Sequence, residues 1–382
     1  MTFFSETEMR RRLDALHRSA QDRSIDAVFL HTSDNVYYIT GVPLLSPWGR
    51  PLWMVVRTGQ LPAIVGSRLE EENMRTLWAG DVIAYGDDAD VWETALNLIR
   101  EQIGEGRPLR LGCELTHLSL AMATYLTDEV GAELVDIGEI LADLRLIKST
   151  EELALLRLAG HVAQIGANEF AGAINPGATE LSIASRAVLA MNEATAALDP
   201  RLPTSSYAYC HAGVHTLSPH QHPTGTRVRT GEVLALNVFA VLAGYCVELE
   251  RTYAIGDPGD KARHALAAVG EAYGVAKSAL VPGTRASDVH RAAFDVLEKY
   301  KLAQFIRHGT GHAHGIMIGA SSREDGGELR SYNTRTVAPG MAFSVEPGVY
   351  FPNEFGVRHS NVFLIGQDGA ELITEFPLTL AF

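Results

Sequence analysis

Residues 231–256 read GEVLALNVFAVLAGYCVELERTYAIG, and this stretch decides the fold of the second half of the chain. It spells a strand, a short turn and a return strand, with Glu248 and Glu250 on the return. Side chains alternate faces along a strand, so these two carboxylates share one face about 7 Å apart. Asn237 interrupts the apolar run of the outgoing strand. Three such side chains are costly to bury without partners, so the hairpin reads as the floor of a site.

The chain around it has 382 residues, enough for two or three domains with substantial cores. Apolar content of 46% against 20% charged residues is that of a globular protein rather than a disordered one. A formal net charge of -14 argues against nucleic-acid partners and anionic membrane surfaces. Cys113, Cys210 and Cys246 are scattered and form no paired motif, which fits a reducing compartment. The first residues, MTFFSETEMRRRLDALHRS, lack the apolar core of a secretory signal, and no stretch approaches a membrane span. The expectation is a cytoplasmic protein.

Upstream of the hairpin, Met9, Leu13, Leu16 and Ala20 mark one face of a first helix, and Ala27–Leu30 reads as a buried strand. Short strands over 52–56, 61–65 and 82–84 and helices over 92–103 and 119–130 complete a small α/β domain, assigned to residues 1–145. Ser149 and Glu152 form a capping-box pattern that opens a long helix reaching about Ala173, so a second domain is assigned to 146–382. Within it, helices are expected over 179–194, 261–279 and 286–300, and a loop is expected to carry His211, His215, His220 and His222. The last eighty residues are strand-rich and punctuated by glycine. Helices grouped between strands give an α+β fold class overall.

Three later segments add polar residues to those of the hairpin: 308-HGTGHAHG-315, 344-SVEPG-348 and 356-GVRHSN-361. Taken singly, each has a bland explanation. A Glu before Pro-Gly is usually a solvated strand end, and a loop histidine is more often hydrogen-bonded than functional. Their joint order is more specific.

In that order the segments resemble the pita-bread superfamily of methionine aminopeptidase, prolidase, aminopeptidase P and creatinase, over essentially the whole chain. The resemblance implies a creatinase-type N-terminal domain followed by a pita-bread catalytic domain. Its peptidases hold two metal ions with five ligands, which map here to Asn237, Glu248, His312, Glu346 and Ser360. Three of the five differ in type, and two carboxylates are lost. Two divalent ions share a small site only when anionic ligands offset their repulsion, so no metal and no cofactor is expected.

The hairpin is most similar to the metal-independent creatinase branch, through Leu236-Asn237, Phe239, Ala243-Gly244-Tyr245 and Leu249-Glu250-Arg251-Thr252. That resemblance implies cleavage of creatine or a related guanidino acid, with His220 shuttling the proton and Glu250 and Glu346 holding the guanidinium. Arg50, in Trp48-Gly49-Arg50-Pro51, and Arg323 would bind the carboxylate, with Trp48, His312 and Asn237 also at the substrate. It further implies a homodimer, because the N-terminal arginine of creatinase reaches the partner's site. The chemistry is coherent: a planar cation suits paired carboxylates, a carboxylate suits arginine, and C–N cleavage suits a histidine acid–base.

Glu248 replaces a small residue of creatinase, and His222 offers a second candidate base beside His220. The alternatives are an Xaa-Pro metallopeptidase with one ion at Glu248, His312 and Glu346, an enzyme for another small zwitterion, and a partner-binding protein without catalysis.

Overall fold

The computed structural model describes residues 3–42, 49–88, 90–103, 109–319 and 326–382. It divides into two compact units, Met1–Arg145 with Ile316–Ser321, and Leu146–Gly315 with Ser322–Phe382.

In the first unit the chain runs α1 (Glu6–Asp22), β1 (Ala27–Leu30), α2 (Ser33–Thr40), β2 (Trp53–Arg57), β3 (Ala63–Ser67) and α3 (Glu71–Met74). It continues through β4 (Asp81–Tyr85), α4 (Val91–Ile103), β5 (Leu109–Cys113), α5 (Leu120–Asp128), β6 (Ala132–Asp136) and α6 (Gly138–Leu146). The sheet order is β4-β3-β2-β1-β5-β6, with β1 antiparallel to β2 and parallel to β5. Central β1 is buried along its length, as its unbroken apolar run requires. Met9, Leu13, Leu16 and Ala20 form the buried face of α1.

The second unit holds the site. It runs α7 (Thr150–Ala173), α8 (Glu180–Leu198), β7 (Tyr207–Ala212), β8 (Val233–Leu242), β9 (Tyr245–Ala254), α9 (Gly259–Ala279) and α10 (Ala286–Lys299). It ends in β10 (Ala342–Val345), β11 (Gly348–Phe351), β12 (Phe355–Arg358), β13 (Ser360–Ile365) and β14 (Ala370–Leu372). The main sheet is antiparallel in the order β10-β13-β9-β8-β7, with β14 on β13, and β11 pairs β12 separately. The capping box of Ser149 and Glu152 opens α7, which lies across β8 and β9. Helices α9 and α10 share a core with β10 to β13 through Val269, Val289, Phe343 and Phe363.

The sequence reading put His211 in a loop; the structure puts it in β7. Pro203, Ser205, Ser206 and Pro219 flank this segment and give it the composition of a loop, but register with β8 recruits Tyr207–Ala212 as an edge strand.

Candidate active site

The hairpin turns at Ala243-Gly244, where φ is +43° and +80°, between paired Leu242 and Tyr245. Two consecutive left-handed residues make the tight turn whose twist matches the strands, and glycine carries one of them without penalty. That turn fixes a register in which Glu248 faces Phe239 and Glu250 faces Asn237. Both glutamates are buried on one face, as strand alternation requires.

Intervening Arg251 points the other way. Its guanidinium donates to the carbonyls of Glu250, Ser360, Phe376 and Pro377 and to Asn361 Oδ1, tying β9 to the end of the chain. Thr252 returns to the site face, where its hydroxyl donates to the Arg358 carbonyl and accepts from the Arg358 amide, each at 3.0 Å. The run Glu250-Arg251-Thr252 thus builds the seat of Arg358.

Arg358 is buried, and its guanidinium donates to Glu250 Oε1 and to Asn237 Oδ1 at 3.2 Å. Asn237 is fully used. Its amide nitrogen donates to the Tyr209 carbonyl at 3.1 Å and to His211 Nδ1 at 3.3 Å. His211 in turn donates from Nε2 to the Gln221 carbonyl at 2.7 Å, which fixes its tautomer. Glu250 Oε2 is buried without a hydrogen-bond partner among the described residues.

On the other side of Glu248, Ser360 donates its hydroxyl to Oε1 at 2.7 Å. Oε2 lies 3.6 Å from Nε2 of both His312 and His314, whose rings stack at 4.7 Å. His312 Nε2 is also 3.6 Å from Glu346 Oε1, at the end of β10. Gly311 lets His312 come this close, because a Cβ there would meet the Ser344 carbonyl at 2.0 Å. Oxygens of Glu248, Glu250 and Glu346 lie within 4.8 Å of one another, as do ligand atoms of Glu248, His312 and His314.

Burial disfavours the charged His312 ring, but Glu248 and Glu346 outweigh it and raise its pKa to about 9. The ring is therefore a cation at neutral pH. Burial likewise opposes the Glu248 carboxylate, yet His312 and His314 hold it well below the usual range. Glu250 goes the other way: burial first, then the charges of Glu248 and Glu346, raise it well above that range, against the pull of Arg358. Burial also weighs against the Arg358 cation, but Glu250 and its neighbours push its pKa above the ordinary value.

These groups open into a cavity of about 400 Å³. Its walls include Tyr207, Tyr209 and Phe239, with Tyr207 stacked on Phe239 at 4.5 Å. Tyr350 accepts the edge of His308, and its hydroxyl lies 2.8 Å from His308 Nε2. Exposed His220 lines the cavity, and His222 packs edge-on to Tyr209. Asn237, Glu250, Glu346 and His312 are thus brought together with His220. Arg50 pairs with Asp87 inside the first unit, and Trp48 and Arg323 lie outside the described residues. Sequence reasoning gave no role to Arg307, His308, Tyr350 or Arg358, although Arg358 stood in a quoted segment. The alternation Tyr207-Ala-Tyr209 was the signal for the aromatic wall.

The segment carrying His220 is held by Glu180, wholly buried in the first turn of α8. Its carboxylate accepts from the amides of Ala212 and Thr224, the Thr224 hydroxyl and His215 Nδ1, clamping both ends of 213–223. Glu180→Ala is expected to cost about 2 kcal/mol, because it orphans buried donors. Hydrogen exchange across 212–224 is the check: protection should fall there and persist in β9.

Comparison with known proteins adds the family. The model of "Metallopeptidase family M24" matches residues 154–367, and that of the "Creatinase/Prolidase N-terminal domain" matches 12–147. The chain is 27% identical over 384 residues to a creatinase of Bacillus sp. (strain B-0618), covering 98% of this chain and 92% of that protein. It is 28% identical to an Xaa-Pro dipeptidase of Lactobacillus helveticus, covering 95% and 96%. A prolidase from Thermococcus sibiricus superposes with a TM-score of 0.85 at 22% identity, covering 99% of this chain and 100% of the other, which supports the two-domain α+β fold. With the M24 model spanning more than half its length and the N-terminal model ahead of it, the chain belongs to the M24 family of hydrolases.

Proposed function

We propose that this protein hydrolyses a C–N bond of a small guanidino acid, creatine or a close relative, using its own acid–base groups. The observation that carries this reading is the donor set around the glutamates. A pair of divalent ions needs anionic ligands at 237 and 360, where this chain has Asn and Ser. Asn237 spends its oxygen on Arg358 and its nitrogen on Tyr209 and His211. Ser360 gives Glu248 a proton donor, and the buried Arg358 guanidinium supplies fixed positive charge at Glu250. These residues do not fit two ions.

They fit a single organic cation better. Three carboxylates face two fixed cations, Arg358 and protonated His312, which leaves one negative charge for a ligand. Glu250 Oε2 and Glu346 would take the planar cation in charge-assisted bonds. A proton on Glu250 would leave as the cation enters. In the reaction, water oxygen bonds to the amidino carbon, the bond to the substituted nitrogen breaks, one water proton passes through His220 to that nitrogen, and the second follows it as the urea carbonyl forms. His312, already protonated, is suited to holding the carboxylates rather than accepting a proton.

A second reading has its own support. Glu248, His312 and His314 converge within 4.8 Å, and several relatives carry the name Xaa-Pro dipeptidase. That activity would use one ion at Glu248 and His312, with His314 rather than Glu346 completing the converging set. The experiment assays pure protein on creatine for urea and sarcosine, and on Xaa-Pro dipeptides, with and without EDTA, alongside elemental analysis. Turnover of a guanidino acid unchanged by EDTA is expected. Near-stoichiometric Mn, Zn or Co with dipeptide hydrolysis lost to EDTA would replace the first reading with the second.

A further inference from the structure

The cavity has a pole of each sign. Its floor is acidic, and Glu250 Oε2 is buried there without a hydrogen-bond partner among the described residues. Arg307, just ahead of the glycine loop, lines the same cavity at an exposed position. Its guanidinium lies 5.6 Å from the centroid of the Tyr350 ring. The hydroxyl of that ring meets His308, and the charges of Arg358, Glu250 and Glu346 act on it. The cation and the acidic floor thus line one cavity together with this tyrosine. No carboxylate among the described residues lies within ion-pair distance of Arg307, whereas Arg50 is paired with Asp87.

A guanidinium free to form a two-pronged contact, at the edge of a cavity with an acidic floor, suits a carboxylate at the other end of the ligand. A cation–ring contact with Tyr350 uses none of the guanidinium's N–H donors on a carboxylate. The aromatic wall of Tyr207 and Phe239 runs beside the acidic floor, where the apolar flank of a methylated cation would lie. We propose that Arg307 is the carboxylate anchor of this cavity, and that its ligand is a small zwitterion bound cation-inward on Glu250 and Glu346 and carboxylate-outward on Arg307. This rests on the cation-binding reading above, and it places both anchors in one unit of one chain, so the second anchor needs no partner subunit.

The test uses the full chain and matched probes: creatine against its carboxamide, and glycyl-proline against glycyl-prolinamide. Binding is read by calorimetry and, where turnover occurs, KM and kcat are measured separately. Wild type should bind each acid more tightly than its amide. Arg307→Gln should weaken the acids by roughly tenfold to a hundredfold and leave the amides unchanged, with KM rising and kcat preserved. Arg307→Lys should recover part of the loss. Binding without turnover would sink the hydrolytic function and leave the anchor standing. Equal binding of acid and amide by wild type, absence of binding of any probe, or equal loss of both members in the variant would overturn the anchor.

Discussion

Arg358→Met is expected to destabilise the protein by about 3–5 kcal/mol, the cost of leaving a buried charge without its partner. Methionine fills most of the arginine stem, so the loss is electrostatic rather than a cavity effect. Glu250 Oε1 then loses the guanidinium that donates to it, as does Asn237 Oδ1, and Glu250 stays beside Glu248 and Glu346. Because burial already raises the Glu250 pKa, the variant escapes part of the cost by keeping that carboxyl protonated. Its deficit should therefore be smallest in mild acid and grow as the pH rises. Glu250→Gln in the same background removes the orphaned charge and should return more than half of the loss. Arg358→Ala should regain stability in millimolar guanidinium chloride but not in sodium chloride of equal strength. Thermal unfolding of the four proteins at pH 5.5 and 8.5 reads all of this. A single variant as stable as wild type at the higher pH would show that the pair is not the keystone of the floor.

Much of this was legible in the sequence, because it depended on local rules. The capping box at Ser149 opens α7, Ala27–Leu30 is a buried strand, and alternation puts Glu248 and Glu250 on one face. Glu346 ends a strand before Pro347, and His312 follows a glycine that a side chain would block. What stayed hidden was long-range pairing. Nothing local tells Arg358 that it will meet a carboxylate 108 residues earlier, since Thr252 and the β9–β13 register make that contact. Asn237 read as a ligand lost. The structure gives it three hydrogen bonds of its own, to Tyr209, His211 and Arg358, so its amide is required rather than merely tolerated. The aromatic wall was missed for a different reason: β7 is an edge strand whose flanks have the composition of a loop.

Stability should fall as the pH rises from 6.5 through about 9, a fall set by His312, and should fall again in acid. Its folded pKa of about 9 lies above the ordinary 6.5, because Glu248 and Glu346 outweigh the burial that opposes the charge. The folded state thus holds the extra proton between these values. Its contribution, on the order of 3 kcal/mol, is complete below pH 6.5 and lost as the pH rises through 9. Glu250, also raised, adds a slope of the same sign above 4.5. His359 acts in the opposite sense. Burial, then the charge of Arg251, depresses it to about 3, so the unfolded chain binds the proton first and stability falls as the pH drops below 6.5. Above 4.5 the slopes of Glu250 and His359 oppose one another. Below 4.5, Glu248, held low by His312 and His314 against burial, steepens the acid limb. His359 is buried and its Nδ1 has no hydrogen-bond partner among the described residues, so His359→Phe should remove its share of the acid limb at little cost near neutrality. The alkaline limb should survive that substitution unchanged. Urea unfolding midpoints from pH 4 to 10 for both proteins measure the two limbs independently, and a wild-type stability that rises between pH 7 and 9 would contradict the charge assigned to His312.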